Sequence, residues 1–300
     1  MSPASYRRLA VVALALLCAI VVTGAAVRLT GSGLGCTDWP RCNEQKFIDV
    51  SSTHGAIEQV NRLFTGLVTL GVVVAVLGAT RRRPRRSDLV WLAWGLVAGV
   101  VGQVILGGIV VLTDLHPLAN QGHFLLSMIL VVNALVLVKR SGEDSDARVP
   151  VVSTSTARWV RGVVVVGVLA VFTGTVVTGS GPHAGDENAR RFGFDISNIA
   201  RIHGISVILT LSLLVALIVV TRRGNDRGRL DNAIEVVLAI GVLQAAVGYV
   251  QYFNDIPALL VGIHIAGATA FTLALANLWL GLRSGSARQA EKSLTRETVA

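Results

Sequence analysis

The sequence predicts an all-α polytopic membrane protein, eight transmembrane helices arranged as two pseudo-symmetric four-helix bundles. Three observations carry that reading. Hydrophobic residues make up 52% of the 300 positions and charged residues only 15%, against roughly 45–50% and about 25% in soluble domains. The apolar residues fall in runs of about twenty, the length that crosses a hydrocarbon core of ~30 Å at the helical rise. The second half of the chain also repeats the polar landmarks of the first. A soluble globule is excluded. The net charge of +9 invites a nucleic-acid partner, but aromatic residues make up only 5% and the arginines gather between the apolar runs. Membrane topology explains the charge, and no nucleic-acid partner is expected.

In chain order the runs cover residues 9–27, 56–77, 89–112, 118–138, 160–177, 203–220, 233–252 and 258–282. The first resembles a signal sequence but lacks a small-residue cleavage site followed by a soluble domain, so it reads as a retained helix. An even number of crossings places both termini on one side. That side collects 20 of the 27 Lys and Arg residues, whereas the acidic residues divide nine and nine. A bias confined to basic residues is the positive-inside pattern, so both termini are expected in the cytoplasm. The cytoplasmic connections are short and Arg-rich, with residues 141–156 forming a flexible polar linker. Externally, the connections at 28–53 and 178–197 are long and Gly-rich, whereas those at 113–117 and 253–257 are tight.

This long, short, long, short order is the outline of a duplication. Thr-Gly-Ser-Gly occurs at residues 30–33 and again at 178–181, followed each time five residues later by an aspartate, Asp38 or Asp186. Gln103 precedes His123 by twenty residues, as Gln244 precedes His264. Between them Gly107 matches Gly248 and Asp114 matches Asp255. Each half carries an even number of spans, so both cross in the same sense and the repeat is parallel, about an axis normal to the membrane. The expected units are a first bundle over residues 1–140, a linker over 141–157, a second bundle over 158–283 and a cytoplasmic tail over 284–300. Inverted-repeat transporters are disfavoured, whereas parallel-repeat transporters stay open.

Polar residues inside such spans are the functional candidates. His123, His203 and His264 lie near the external ends of the fourth, sixth and eighth spans, with His203 beginning the sixth. His264 is the repeat partner of His123, and the partner of His203 is Asn61. Two imidazoles on facing helices can hold a haem iron from both faces; the competing reading is an interhelical hydrogen bond or a proton relay. Glu58 lies one turn before Asn61 and His54 a further turn back, all on one face. Glu58 is either a site carboxylate or the partner of Arg62. Cys36 and Cys42 lie on the oxidising side, where a disulfide is permitted; two free thiols are the alternative. Cys18 reads as a packing residue, and His116 and His183 as solvated side chains.

The segment Thr-Gly-Ser-Gly-Leu-Gly-Cys-Thr-Asp-Trp-Pro-Arg-Cys at 30–42, the Glu58-x-x-Asn61-Arg62 stretch, the Gly-Ser-Gly-Pro-His-Ala-Gly-Asp run at 179–186 and the paired histidines resemble the haem A synthase family. The resemblance covers residues 5–283. It implies oxidation of the ring D methyl group of haem O to a formyl group through successive hydroxylations, giving haem A for cytochrome oxidase. It also implies a haem b cofactor on His203 and His264, with Glu58 as the catalytic carboxylate and His123 as an iron ligand to the substrate haem. Asn61 and Arg62 lie beside that substrate, and Cys36 and Cys42 match the family's external cysteine pair. Arg28, Arg62 and Arg201 are candidates for the haem propionates. Haem O synthase, the farnesyltransferase, and cytochrome oxidase assembly are the implied partners, and the plasma membrane is the implied location. Many members have histidine where this chain has Asn61, which leaves His123 as the only ligand unless His54 substitutes. A diheme electron carrier linked to quinol is the alternative; it needs four iron ligands, and Asn61 counts against it.

Overall fold

The computed structural model describes residues 1–143, 147–224 and 226–285. Eight helices are long and apolar enough to cross a membrane: α1 (Pro3–Leu29), α2 (Thr53–Arg81), α3 (Ser87–Leu112), α4 (Pro117–Ser141), α5 (Thr154–Ser180), α6 (Ile196–Arg223), α7 (Asp231–Phe253) and α8 (Ala258–Leu280). The chain is an all-α, multi-pass membrane protein, as its composition predicts. Local chemistry sets the helix starts. Ser2, Ser52, Ser153 and Asp195 each accept a backbone N–H from the first turn of α1, α2, α5 and α6, which satisfies donors that have no partner within the helix. The Asp195 cap starts α6 seven residues before the apolar run. His203 therefore lies two turns inside the helix and does not begin it; hydropathy cannot see a polar cap that extends a span.

The helices close two rings of contact, α1–α2–α3–α4 and α5–α6–α7–α8, joined through α1–α8, α4–α8 and α4–α5. Each ring has its own buried core, with Leu89, Leu96, Val131 and Leu137 at the centre of the first and Val163, Leu214, Leu217 and Leu278 at the centre of the second. Large apolar side chains on the outside, among them Trp91, Leu259 and Phe253, are exposed, as lipid-facing residues of a span must be. The turns joining α3 to α4 and α7 to α8 share a backbone design. Asp114 and Leu115 in one, and Asp255 and Ile256 in the other, are consecutive non-glycine residues in the left-handed region. Each turn is closed by a 2.8 Å bond, from Leu115 N–H to Val110 O and from Ile256 N–H to Gln251 O.

At the arginine-rich end the linker is anchored where described. Val149–Pro150 pairs antiparallel with Arg283–Ser284, Arg148 donates to Leu280 O and Arg283 O, and Arg229 donates to Val151 O. Composition registers the polarity of such a segment but not the backbone carbonyls that arginines find across the fold. Residues 144–146 of the linker and 286–300 of the tail lie outside the described residues.

Candidate functional site

All three span histidines gather toward the end of the bundles that carries residues 30–52 and 181–195. His123 and His264 are each the seventh residue of their helix, α4 and α8, about two turns deep at the helical rise. In the second ring α6 and α8 stand diagonally opposed, and the rings of His203 and His264 face each other with centroids 6.3 Å apart and planes at 87°. A metal held at about 2 Å by an imidazole nitrogen lies ~3.1 Å from that ring's centre, so one ion between two such rings separates the centres by ~6.2 Å. The pair has the spacing of two axial ligands. His203 Nδ1 lies 3.0 Å from Ala170 O and 3.2 Å from Thr173 Oγ1. A carbonyl accepts only, so Nδ1 carries the proton and Nε2 keeps its lone pair for a metal, as in histidines whose other ring N–H is held by a backbone carbonyl. His264 Nδ1 is buried without a partner.

Glycines let the neighbouring helices approach these rings closely. A Cβ at Gly248 would lie 3.5 Å from His264 Cε1, and one at Gly107 would lie 3.6 Å from His123 Cε1. The two glycines are repeat partners and meet their histidines in the same way. Gly174 approaches His203 more closely, with its notional Cβ 3.1 Å from Cε1. Gln103 fixes the backbone around His123, donating to His123 O at 3.0 Å and to Ser127 Oγ at 2.7 Å.

The first ring departs from this pattern on α2. Asn61 Oδ1 is buried without a hydrogen-bond partner, as is His123 Nδ1. Glu58, 6% exposed, accepts from Arg62 Nη2 at 2.6 Å and Nε at 2.9 Å, and through Oε2 from the Cys36 N–H at 2.8 Å. The ion pair weighed from the spacing is therefore present, and Glu58 also holds the loop over residues 30–52. Arg62 continues into that loop, donating to Asp38 O and Arg41 O, with its guanidinium 5.0 Å from the Trp39 ring. Trp39 in turn packs on Gly108 of α3, where a Cβ would lie 2.5 Å from its Cδ1. Cys36 and Cys42 form a disulfide inside this plug. Asp49 closes the loop's far side, its carboxyl pulled down to about 2 by hydrogen bonds from Ser51, with Asn43 and Lys46 adding to the shift.

Several other expectations change. His54 sits in the first turn of α2, exposed, with Nδ1 2.9 Å from Ser32 Oγ; it is engaged with the loop and stands two turns from Asn61. Of the arginines considered for propionates, Arg28 is taken by His183 O at 2.6 Å and Thr178 O at 2.9 Å, and Arg62 by the plug, whereas Arg201 is exposed. His183 is not merely solvated, since its Nε2 lies 2.7 Å from Ile256 O; His116 caps α4. The two Thr-Gly-Ser-Gly loops interlock through Gly33 N–H to Gly185 O at 2.9 Å. Nothing in the sequence signals that contact, nor the Gln121 to Thr175 bond, 2.8 Å, that ties α4 to α5.

Comparison with known proteins agrees with this architecture. The family model described as "Cytochrome oxidase assembly protein" matches residues 7–56 and 47–185, more than half of the chain. Among curated relatives, the heme A synthase of Shouchella clausii is 28% identical over 162 residues, covering 53% of this chain and 54% of its own. The heme A synthase of Geobacillus kaustophilus is 30% identical over 122 residues, 40% of this chain and 38% of its own, and that of Bacillus pumilus is 30% identical over 133 residues, 44% and 43%. The chain thus spans about half the length of these relatives or less. With the family match running from α1 across the plug, Glu58 and His123 into the second Thr-Gly-Ser-Gly loop, the chain belongs to the cytochrome oxidase assembly protein family.

Proposed function

We propose that this chain is a haem A synthase, oxidising the ring D methyl group of haem O to a formyl group. The observation that carries the reading is the divergence of two equivalent sites: one keeps facing imidazoles at 6.3 Å, whereas the other keeps one imidazole and adds a buried carboxylate. A diheme electron carrier needs four iron ligands, and the first half offers Asn61 where the second has His203. In this reading the bundle over 158–283 is the cofactor half, where His203 and His264 hold haem b, and the bundle over 1–140 is the substrate half. Haem b supplies one-electron redox chemistry when bound.

The chain's own residues do the rest. His123 binds the substrate iron and so fixes the ring system relative to α2. Glu58, held by Arg62 and the Cys36 amide, would orient the oxygen nucleophile near the methyl group and take its proton, while the electrons lost by the carbon would pass through the haem b half to an external oxidant. Trp39 and Arg62 close the axial mouth, which keeps bulk water from the reacting carbon and leaves the bilayer as the entry route for a farnesylated substrate. The arginine-rich helix ends face the cytoplasm of a plasma membrane, with both termini on that side and the histidine end outside. Haem O synthase supplies the substrate and cytochrome oxidase assembly consumes the product.

The test is to purify the protein in detergent, extract its haems and identify them by mass. Haem B with haem O, hydroxylated haem O or haem A supports the reading. Haem B alone at two per chain replaces it with the electron carrier, and no haem at all returns the histidines to hydrogen bonding.

A further inference from the structure

The halves differ at one repeat-related position where chemistry changes most: His203 on α6 is matched by Asn61 on α2. An amide is not among the side chains that serve as axial haem ligands, which are imidazole, thiolate, thioether and phenolate. His54 does not replace it, being engaged with Ser32 at the helix start. Glu58 does not either, because a carboxylate is not among those ligands and this one is paired with Arg62. Asn61 is half-buried, and no side-chain hydrogen bond holds its amide oxygen elsewhere. Its Oδ1 is buried with no partner, in a ring whose diagonally opposed histidine also has an unpartnered Nδ1. A buried polar group left unsatisfied costs free energy, and one opposite a ligating histidine is satisfied by whatever small molecule occupies the space between.

We infer that the first bundle holds its haem through His123 alone and keeps the opposite axial position as a binding site for a small exogenous ligand, with the Asn61 amide as its hydrogen-bond partner. The ligand class is a small hydrogen-bond donor such as water, since the orphaned Oδ1 only accepts; a diatomic serves as a probe of the open position. The second bundle, saturated by His203 and His264, has no such site. This inference rests on the haem reading given above and narrows it to one coordination position of one half.

The experiment uses the full chain as purified, with haem content measured first on the same sample. Carbon monoxide is then added to the reduced protein. With two haems per chain, one is expected to bind carbon monoxide; His123→Ala abolishes that signal, whereas His203→Ala, which leaves the other haem with one ligand, adds a second carbon monoxide site to it. Asn61→His fills the position and lowers carbon monoxide affinity at least about tenfold, a loss of one ligand's worth of binding, with the haem converted to a six-coordinate low-spin spectrum. Asn61→Leu keeps the position open but removes the amide dipole, so carbon monoxide still binds and its stretching frequency shifts. Two haems and no carbon monoxide binding overturn the inference while leaving the haem reading intact, as does binding unaltered by both Asn61 variants. Absence of a His123-dependent haem sinks both together.

Discussion

Glu58 has two duties in the structure, and they separate by substitution. Glu58→Gln removes the charge and weakens both contacts to Arg62, 2.6 and 2.9 Å, but keeps an acceptor for the Cys36 N–H. Charge-assisted bonds of this kind contribute about 1.5–3 kcal/mol, and side-chain exposures of 14% and 8% leave little solvent to screen the pair. Glu58→Ala additionally strands the amide of Cys36, which is 1% exposed, at a further ~1–3 kcal/mol. The alanine variant thus approaches the ~3–5 kcal/mol expected when one member of a buried ion pair is deleted. Arg62→Met leaves Glu58 buried and uncompensated, so Glu58→Gln with Arg62→Met together is more stable than the sum of the singles predicts. The assays are thermal unfolding in detergent and amide hydrogen exchange over residues 35–42. Equal unfolding of the Gln and Ala variants, with unaltered exchange at Cys36, would refute the claim that this carboxylate holds the loop. The same set isolates chemistry: if Arg62→Met alone keeps the proposed haem A formation, a double variant that recovers stability without it assigns Glu58 a role in oxidation, and recovery of both removes that role.

Other expectations follow from the histidine surroundings and the opposite end of the molecule. Gly174→Ala places a methyl 3.1 Å from His203 Cε1 and forces the ring to yield a few tenths of an ångström, whereas Gly248→Ala, at 3.5 Å from His264 Cε1, is an ordinary contact; the haem spectrum of the first shifts and that of the second does not, and identical spectra would contradict the geometry. At the arginine-rich end, burial pushes the Asp226 carboxyl up, but hydrogen bonds from Ser153 and Thr156 and the nearby Arg229 outweigh it and leave it below the ordinary carboxylate range. A depressed folded value means stability that is present above pH ~4 and lost as the pH falls through the folded value. Asp226→Asn should therefore lower Tm at neutral pH and flatten the acid limb of the Tm profile; an acid limb as steep as that of the parent would remove Asp226 from the account.

How much of this was legible in the sequence depends on whether the cause was local. The eight spans follow from apolar runs, and the depths of His123 and His264 follow from their places near run ends, because both depend on a few dozen contiguous residues; the depth of His203 does not, since a polar cap extends α6. The repeat landmarks Gly107 and Gly248 were visible as a match, although only the packed helices reveal that each faces its histidine's Cε1. The Glu58 to Arg62 pair was available from i, i+4 spacing. The Cys36 amide, 22 residues away from Glu58, was not, since no periodicity encodes where an irregular loop returns. Arg28 shows the same limit from the other side: it reads as a mouth arginine free for an anion, but it bonds carbonyls about 150 residues later in the chain. Backbone acceptors carry no sequence signature, so arginine partners of that kind become visible only in the fold.

The plug gives the sharpest test of how the first half is closed. Trp39 reaches α3 only because residue 108 is glycine; any Cβ there would sit 2.5 Å from Cδ1 and 2.8 Å from Nε1 of the indole, distances no side chain tolerates without moving. Gly108→Ala must therefore unseat Trp39, and with it the ring 5.0 Å from the Arg62 guanidinium. The loop itself stays attached, because the Cys36 amide and the carbonyls of Asp38 and Arg41 do not involve the indole. The variant should thus open the mouth locally: Trp39 fluorescence, isolated by comparison with a Trp39→Phe parent, shifts to the red and becomes accessible to an aqueous quencher, while the Cys36 amide remains protected from exchange. If the indole stays shielded in Gly108→Ala, the loop has another way of closing the bundle and the axial route is not governed by this contact. If shielding and amide protection are lost together, the plug is a single cooperative unit, and Glu58 is held by the packing of Trp39 as much as by its own ion pair.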